Sequence, residues 1–136
     1  AAPVKTDVTN DEWIRFAHPC WTDIKETETL SSIEGRDEKD EKHICPLQLE
    51  VIHRLIRLYW NRGELVLDPF NGIGSTGFEA VKLGRRYLGI ELKKSYFDAA
   101  SRNLQHAERE AGAGELFRDS GVRVLSESDS RNAASL

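Results

Sequence analysis

Residues 65–91 decide the fold of this chain, and they read Leu-Val-Leu-Asp-Pro-Phe-Asn-Gly-Ile-Gly-Ser-Thr-Gly-Phe-Glu-Ala-Val-Lys-Leu-Gly-Arg-Arg-Tyr-Leu-Gly-Ile-Glu. The pattern predicts an apolar strand at 65–67, a glycine-rich turn, a helix and a second strand at 87–90 that leads into Glu91. Strands joined by so short a crossover are expected to be parallel, with a right-handed connection. We therefore predict an α/β fold whose parallel strands are flanked by helices, with a ligand site at the carboxyl ends of the strands.

The turn has the features of a site for an adenosine-bearing cofactor. Gly72 and Gly74 let the backbone approach a bound molecule where a Cβ would collide with it. Glu91 follows by roughly 20 residues, the separation at which an acidic residue on the next strand accepts hydrogen bonds from ribose hydroxyls. Together with Gly77 the turn also satisfies the dinucleotide fingerprint, so NAD stays open as a ligand. Asp68 favours S-adenosylmethionine, because a carboxylate at the mouth of the turn repels a pyrophosphate and attracts an ammonium group.

The segments around this unit are predicted to complete one domain. Apolar residues at helical spacing indicate a helix from Leu49 to about residue 60 and another from about Tyr96 to residue 111. Because 65–67 is apolar without interruption, we expect both faces of the sheet to be covered. A third strand at 122–125 is left open. The segment 11–22 concentrates two of the three tryptophans, so it must pack on this domain or on a missing partner.

Composition narrows the class of protein. A chain of 136 residues suits a single domain, and its net charge of −4 lacks the basic excess of a main DNA-gripping surface. Cys20 and Cys45 match neither a zinc site nor a disulfide framework, so we expect reduced thiols and no metal. No apolar run approaches the ~20 residues that span a bilayer, and no signal-peptide pattern is present. We therefore predict a soluble cytoplasmic protein without membrane contact.

Two segments, 43–49 followed by 68–75, resemble segments that occur in the same order in the amino-group DNA methyltransferases, which modify adenine N6 or cytosine N4. The turn Asp68-Pro-Phe-Asn-Gly-Ile-Gly-Ser75 resembles their cofactor loop. The segment His43-Ile-Cys-Pro-Leu-Gln-Leu49 and its following helix resemble the stretch ahead of that loop in the class whose cofactor half is C-terminal. The resemblance covers about residues 11–117 and is strongest to phage and prophage members. It implies part of a Rossmann-like S-adenosylmethionine-dependent methyltransferase fold, used for DNA methylation of the restriction-modification kind.

The resemblance also implies a cofactor site. The stretch 68–70 would hold the methionine end, Ser75 its carboxylate, Glu91 the ribose and Leu92 the adenine, while 43–47 would close the opposite side. The complete implied set is His43, Ile44, Cys45, Pro46, Leu47, Asp68, Pro69, Phe70, Asn71, Gly72, Gly74, Ser75, Glu91 and Leu92.

One departure from the family is large. Its members hold the target amino group with an Asp/Asn/Ser-Pro-Pro-aromatic tetrapeptide, whereas no two prolines of this chain are adjacent. We therefore assign no catalytic residue to the chain and expect it to be inactive alone. Position 1 is expected to lie within or just after the target-recognition region of a longer or split enzyme.

The expected organisation has three parts. Residues 1–42 are a lead-in and charged loop after the missing catalytic part, 43–117 are the cofactor-binding unit, and 118–136 are a flexible tail. DNA is then a partner through the missing part, and exposed apolar surface predicts self-association. Two other interpretations stay open: a non-catalytic module for an adenosine-type ligand, and the dinucleotide-binding half of an oxidoreductase.

Overall fold

The computed structural model describes residues 7–30, 46–112 and the backbone of 123–125. Within these ranges the chain forms, in order, α1 (Asn10–Phe16), α2 (Leu49–Tyr59), β1 (Leu65–Asp68), α3 (Ser75–Lys82), β2 (Arg86–Ile90), α4 (Lys94–Glu110) and β3 (Arg123–Leu125). The predicted succession of strand, turn, helix and strand is confirmed. None of the helices in these ranges is both long enough and apolar enough to cross a bilayer.

The described strands form one parallel sheet in the order β1-β2-β3. Leu67 stands beside Leu88, and Asp68 stands beside Gly89. The strand β3 falls inside the tail that the sequence predicts to be flexible. It forms because the free edge of β2 offers backbone groups with which the residues of β3 pair. The rest of that tail and the charged loop at 31–42 lie outside the described residues.

The core lies on one face of the sheet. Right-handed crossovers that run in the same direction along a sheet put their helices on the same side. Accordingly α3 contacts β1, β2 and α4, and α2 packs on α3. The core is built from side chains of these elements, namely Ile52, Ile56, Val66, Phe78, Ala80, Val81, Tyr87, Leu104 and Ala107.

The other face of the sheet is open in the described part of the chain. Leu65 and Leu67 are 46% and 55% exposed, whereas Val66 between them is 2% exposed. The prediction that both faces of the sheet are covered is therefore wrong for the described residues. The physical reason is that both crossover helices lie behind Val66 and Tyr87, so that no described element packs on the leucines.

The N-terminal residues are held to the core from Asp7 onward. The Asp7 carboxylate accepts hydrogen bonds of 2.9 and 3.0 Å from the guanidinium of Arg85, which is fully buried and also donates to the Trp60 carbonyl. Thr9 caps α1 and forms a capping box with Glu12. Part of the predicted lead-in is therefore ordered by an ion pair between residues far apart in sequence.

The tryptophan-rich segment packs on a buried arginine of α2. The Arg54 guanidinium lies 5.4 Å from the ring centre of Phe16 and 5.2 Å from that of Trp21. It also donates two hydrogen bonds, of 2.9 and 2.7 Å, to Asp23. Trp13 remains more than half exposed. The segment therefore packs on this domain and still leaves an aromatic surface facing outward.

The Asp7–Arg85 pair is expected to make a pH-dependent contribution to stability. The hydrogen bond from Arg85 holds the pKa of Asp7 below its ordinary value of 3.8. A carboxylate with a lowered pKa stabilises the fold above its unfolded-state pKa and loses this effect as the pH falls. We expect Asp7→Asn to lower the free energy of unfolding by about 2 kcal/mol at pH 7. The difference in free energy of unfolding between Asp7→Asn and wild type should decrease as the pH falls below 3.8.

Urea denaturation at pH 7 and at low pH measures both effects. Glu28→Gln is the matched control, because it removes the same charge from an exposed pair with Lys25. Exposed pairs contribute little, so we expect no measurable change from this substitution. Equal stability of Asp7→Asn and wild type at pH 7 would contradict the role assigned to the pair of the buried Arg85 with the half-buried Asp7.

Candidate functional site

A cleft of about 230 Å³ opens at the carboxyl ends of β1 and β2. Seven of the predicted cofactor residues line it: Pro46, Leu47, Asp68, Phe70, Asn71, Gly72 and Ser75. The predicted wall residues His43, Ile44 and Cys45 lie outside the described residues. The structure thus brings the start of α2, the turn after β1 and the start of α3 together around one cavity.

The turn after β1 is tied to the end of β2. The backbone N–H of Asn71 donates to the Ile90 carbonyl at 3.1 Å, and the N–H of Gly74 donates to the Asn71 carbonyl at 2.9 Å. Gly72 has φ of +55° and Gly74 has φ of +87°, so both predicted glycines are left-handed. Other residues rarely adopt this conformation, and the turn therefore depends on glycine at these positions.

Glu91 connects the same turn to β2 through its carboxylate. One oxygen accepts the Gly72 N–H at 2.7 Å, and the other accepts the Lys93 N–H at 2.8 Å. Each carboxylate oxygen has two lone pairs, so each of these oxygens keeps a further acceptor position. Glu91 can thus hold the turn and accept two ligand hydroxyls at the same time.

The lining of the cleft combines a carboxylate with the partial positive charge of a helix start. Asp68 lies at the end of β1, where one of its oxygens accepts the Phe70 N–H at 3.0 Å. Ser75 and Thr76 begin α3, and the first N–H groups of a helix carry partial positive charge. A ligand with an ammonium and a carboxylate group matches this arrangement.

Four of the predicted residues do not line the cleft. The Glu91 carboxylate is engaged with the turn, and Gly74 packs against Ala100 of α4. The Leu92 side chain is largely exposed. Pro69 is also outside the lining. These residues therefore border the site or shape it, and their contact with a ligand stays a prediction.

Sequence reasoning missed four residues of the lining, namely Ile52, Ile73, Thr76 and Tyr96. Tyr96 lies in the first turn of α4, directly after β2. The rule that ligands bind at the carboxyl ends of strands points to the starts of the helices that follow them, so this signal was available. Ile52 lies on the apolar face of α2, which serves both the core and the cleft.

A buried tyrosine hydroxyl lies beneath the turn. Tyr87 is fully buried, and its hydroxyl donates to the side-chain oxygen of Asn71. Burial raises the pKa of Tyr87 well above its ordinary value of 10.0, and the charge of Asp68 adds to the rise. The hydroxyl therefore remains a proton donor throughout the ordinary pH range.

Comparison with solved structures identifies the class of fold. The chain superposes with a TM-score of 0.57 and 27% identity on TTHA0409 of Thermus thermophilus, which is assigned as a DNA modification methylase and was crystallised with S-adenosyl-L-methionine. The match covers 89% of this chain and 38% of that one. Together with the parallel sheet and the cleft, it defines a partial Rossmann-like fold of the S-adenosylmethionine-dependent methyltransferases.

Sequence comparison narrows the class further. Type II methyltransferase M2.DpnII of Streptococcus pneumoniae is 42% identical over 69 residues, which are 51% of this chain and 25% of that protein. Type II methyltransferase M.HinfI of Haemophilus influenzae is 37% identical over 71 residues, 52% of this chain and 20% of that protein. The matched part spans a quarter or less of the length of these relatives.

The family model N6_N4_Mtase, described as DNA methylase, matches residues 4–102. The chain belongs to this family of DNA methylases, which confirms the resemblance found in its sequence.

Alanine substitutions at two left-handed glycines are expected to differ in cost. A Cβ on Gly74 would lie 3.1 Å from Cβ and 3.2 Å from Cα of Ala100, whereas a Cβ on Gly63, with φ of +79°, would meet nothing within 4 Å. Both substitutions incur a backbone cost of about 1–2 kcal/mol. Gly74→Ala adds about 1–3 kcal/mol, because the backbone of α4 must move.

The free energies of unfolding from urea titrations check this difference. Gly63→Ala serves as the control for the shared backbone term. Equal losses for the two variants would show that α4 yields freely to the turn, against the close packing described above.

Proposed function

We propose that this chain is the S-adenosylmethionine-binding part of a site-specific DNA methyltransferase that modifies adenine N6 or cytosine N4. The observation that carries the proposal is the pair of carboxylates, Asp68 and Glu91, at the ends of adjacent parallel strands beside one cleft. The cofactor in the structure of the related Thermus protein supports the assignment of the ligand.

Each part of the ligand has a complementary group in this site. The Asp68 carboxylate attracts the ammonium of the methionine end, while Ser75 and the start of α3 attract its carboxylate. Glu91 accepts the two ribose hydroxyls with the acceptor positions that the backbone bonds leave. The adenine lies between Leu92 and the stretch 43–47, of which Pro46 and Leu47 already line the cleft.

The chemistry needs a second set of residues. The bound cofactor supplies a methyl group on a sulfonium, which a flipped base attacks directly with its amino nitrogen. The base must be held and oriented, and the family does this with a Pro-Pro-aromatic motif that this chain lacks. We propose that another segment or polypeptide brings these residues together with the contacts to DNA, and we place the whole enzyme in the cytoplasm.

The open face of the sheet supports the proposal that this chain binds the cofactor and another segment holds the base. Parallel sheets in α/β proteins are covered on both faces, whereas Leu65 and Leu67 are exposed in the described part of the chain. Their apolar character suits a face that the rest of the methylase covers. The lengths of the relatives are consistent with this proposal, since the matched part is a quarter or less of each.

Calorimetric titration of the purified chain with three ligands tests the proposal. We expect binding of S-adenosylmethionine and S-adenosylhomocysteine, no binding of NAD, and no methyl transfer to DNA by the chain alone. Binding of NAD alone would sink the methyltransferase assignment and favour a dinucleotide site. Methyl transfer by this chain would refute the division of the active site.

Asp68→Asn isolates the role of charge in the site. The amide oxygen can still accept the Phe70 N–H, so the turn keeps its shape while the attraction for the ammonium group is lost. We expect the dissociation constant for S-adenosylmethionine to rise about tenfold or more. Asp98→Asn removes the same charge from an exposed pair with Lys94 and should leave the constant unchanged.

The open face also predicts self-association of the chain on its own. We propose that copies associate through Leu65 and Leu67, since exposed apolar patches drive such contacts. Leu67→Lys should shift the mass measured by light scattering towards that of the monomer. Ile14→Lys, at an exposed position on α1, is the control and should not change it. The reverse outcome would move the contact to the aromatic surface near Trp13.

A further inference from the structure

Asn71 is the centre of the turn, and all of its polar groups are used. Its backbone N–H donates to Ile90 and its carbonyl accepts from Gly74. Its side-chain nitrogen donates to the Gly72 carbonyl at 3.3 Å, and its side-chain oxygen accepts from the Tyr87 hydroxyl at 2.5 Å. Since Asn71 is only 4% exposed, water does not readily replace any of these partners.

The surroundings of Tyr87 are shaped to let its hydroxyl reach Asn71. A Cβ on Gly77 of α3 would lie 2.4 Å from the Tyr87 ring, and a Cβ on Gly89 of β2 would lie 2.6 Å from the Asn71 side-chain oxygen. Two glycines on different elements therefore make room for one hydrogen bond. A Cβ on Gly89 would also lie 3.0 Å from the Tyr87 ring, so glycine at this position clears space for both partners of the hydrogen bond.

We propose that Tyr87 is a positioning residue of the cofactor site, whose hydroxyl acts through Asn71 to hold the Gly72–Gly74 turn in its binding geometry. Tyr87 itself is absent from the lining of the cleft, so the inference concerns the turn and not ligand contact. It rests on the proposed function for the identity of the ligand. The ordering of the turn by Tyr87 and Asn71 does not depend on a bound ligand.

The chain of contacts runs from Tyr87 to the site in two steps. Asn71 fixes the carbonyl of Gly72 on one side, and the N–H of Gly72 is bound by Glu91 on the other. The peptide group before Gly72 is thereby oriented by Glu91, and the one after it by the side chain of Asn71, which Tyr87 holds from outside the turn. Without the Tyr87 hydroxyl, the buried Asn71 oxygen lacks its donor, and its side chain is free to rotate away from Gly72.

Tyr87→Phe tests the inference, because it removes one oxygen atom and keeps the ring. In the chain without ligand we expect amide exchange at Asn71 and Gly74 to accelerate about tenfold, with little change at the α4 amides. The dissociation constant for S-adenosylmethionine should rise by a similar factor. Tyr59→Phe removes the same atom from an exposed ring and should change neither quantity.

Two further variants test whether the effect passes through Asn71. In the Asn71→Ala background, Tyr87→Phe should have a clearly smaller effect on affinity than in wild type, because the Asn71 acceptor is gone and only the interaction of the hydroxyl with Asp68 remains. Gly89→Ala should weaken binding with both partners of the bond present, because its Cβ would lie 2.6 Å from the Asn71 oxygen and 3.0 Å from the Tyr87 ring and so push the two apart.

The outcomes separate the inference from the proposed function. Unchanged exchange and affinity in Tyr87→Phe would overturn the inference and leave Tyr87 a packing residue. Faster exchange with unchanged affinity would overturn the link to binding. Additive effects in the Asn71→Ala background would overturn the route through Asn71. A wild-type chain that does not bind S-adenosylmethionine would refute the proposed function, and the exchange rates would still decide whether Tyr87 orders the turn.

Discussion

The hydrogen bond between the Gly72 N–H and the Glu91 carboxylate is the constraint on which the site depends. It joins the turn after one strand to the residue after the next, across a parallel sheet. A second bond, from Asn71 to Ile90, reinforces the same connection. Because the two bonds end on Ile90, the last residue of β2, and on Glu91 directly after it, the depth of the cleft and the direction of Glu91 are set together. A change in the register of the two strands would alter both.

This coupling explains why helices on one face of the sheet suffice to form the cleft. The turn is closed beneath by Tyr87 and Asn71, and beside it by Ala100 of α4. These contacts come from the covered face, where α3 and α4 lie. Among the described residues, Leu65 and Leu67 of the open face do not line the cleft. The proposed cofactor site and the apolar surface of Leu65 and Leu67 therefore lie on different surfaces of the same sheet.

Local patterns in the sequence predict the central unit well, for a physical reason. Alternation from a strand to a helix, left-handed glycines and an acidic residue at a strand end are all properties of neighbouring residues. Two other contacts do not depend on neighbouring residues: Arg54 lies over the rings of Phe16 and Trp21, and Asp7 pairs with Arg85. They join residues tens of positions apart, and no spacing rule indicates which charge meets which. The sequence does not predict the open face, because an apolar strand indicates that both of its faces are covered but not which part of the protein covers them.

The third glycine of the dinucleotide fingerprint, Gly77 of α3, shows that the glycine pattern does not by itself identify the ligand. Gly77 completes the dinucleotide pattern, yet in this structure its missing Cβ makes room for the Tyr87 ring. Close packing of the helix against the strand is needed whatever the cofactor, so the glycine spacing alone does not separate NAD from S-adenosylmethionine. The separation must come from charge. A pyrophosphate carries two negative charges that Asp68 repels, whereas an amino-acid end offers an ammonium to Asp68 and a carboxylate to the start of α3. The ligand is therefore distinguished by the residues that flank the glycines and not by the glycines.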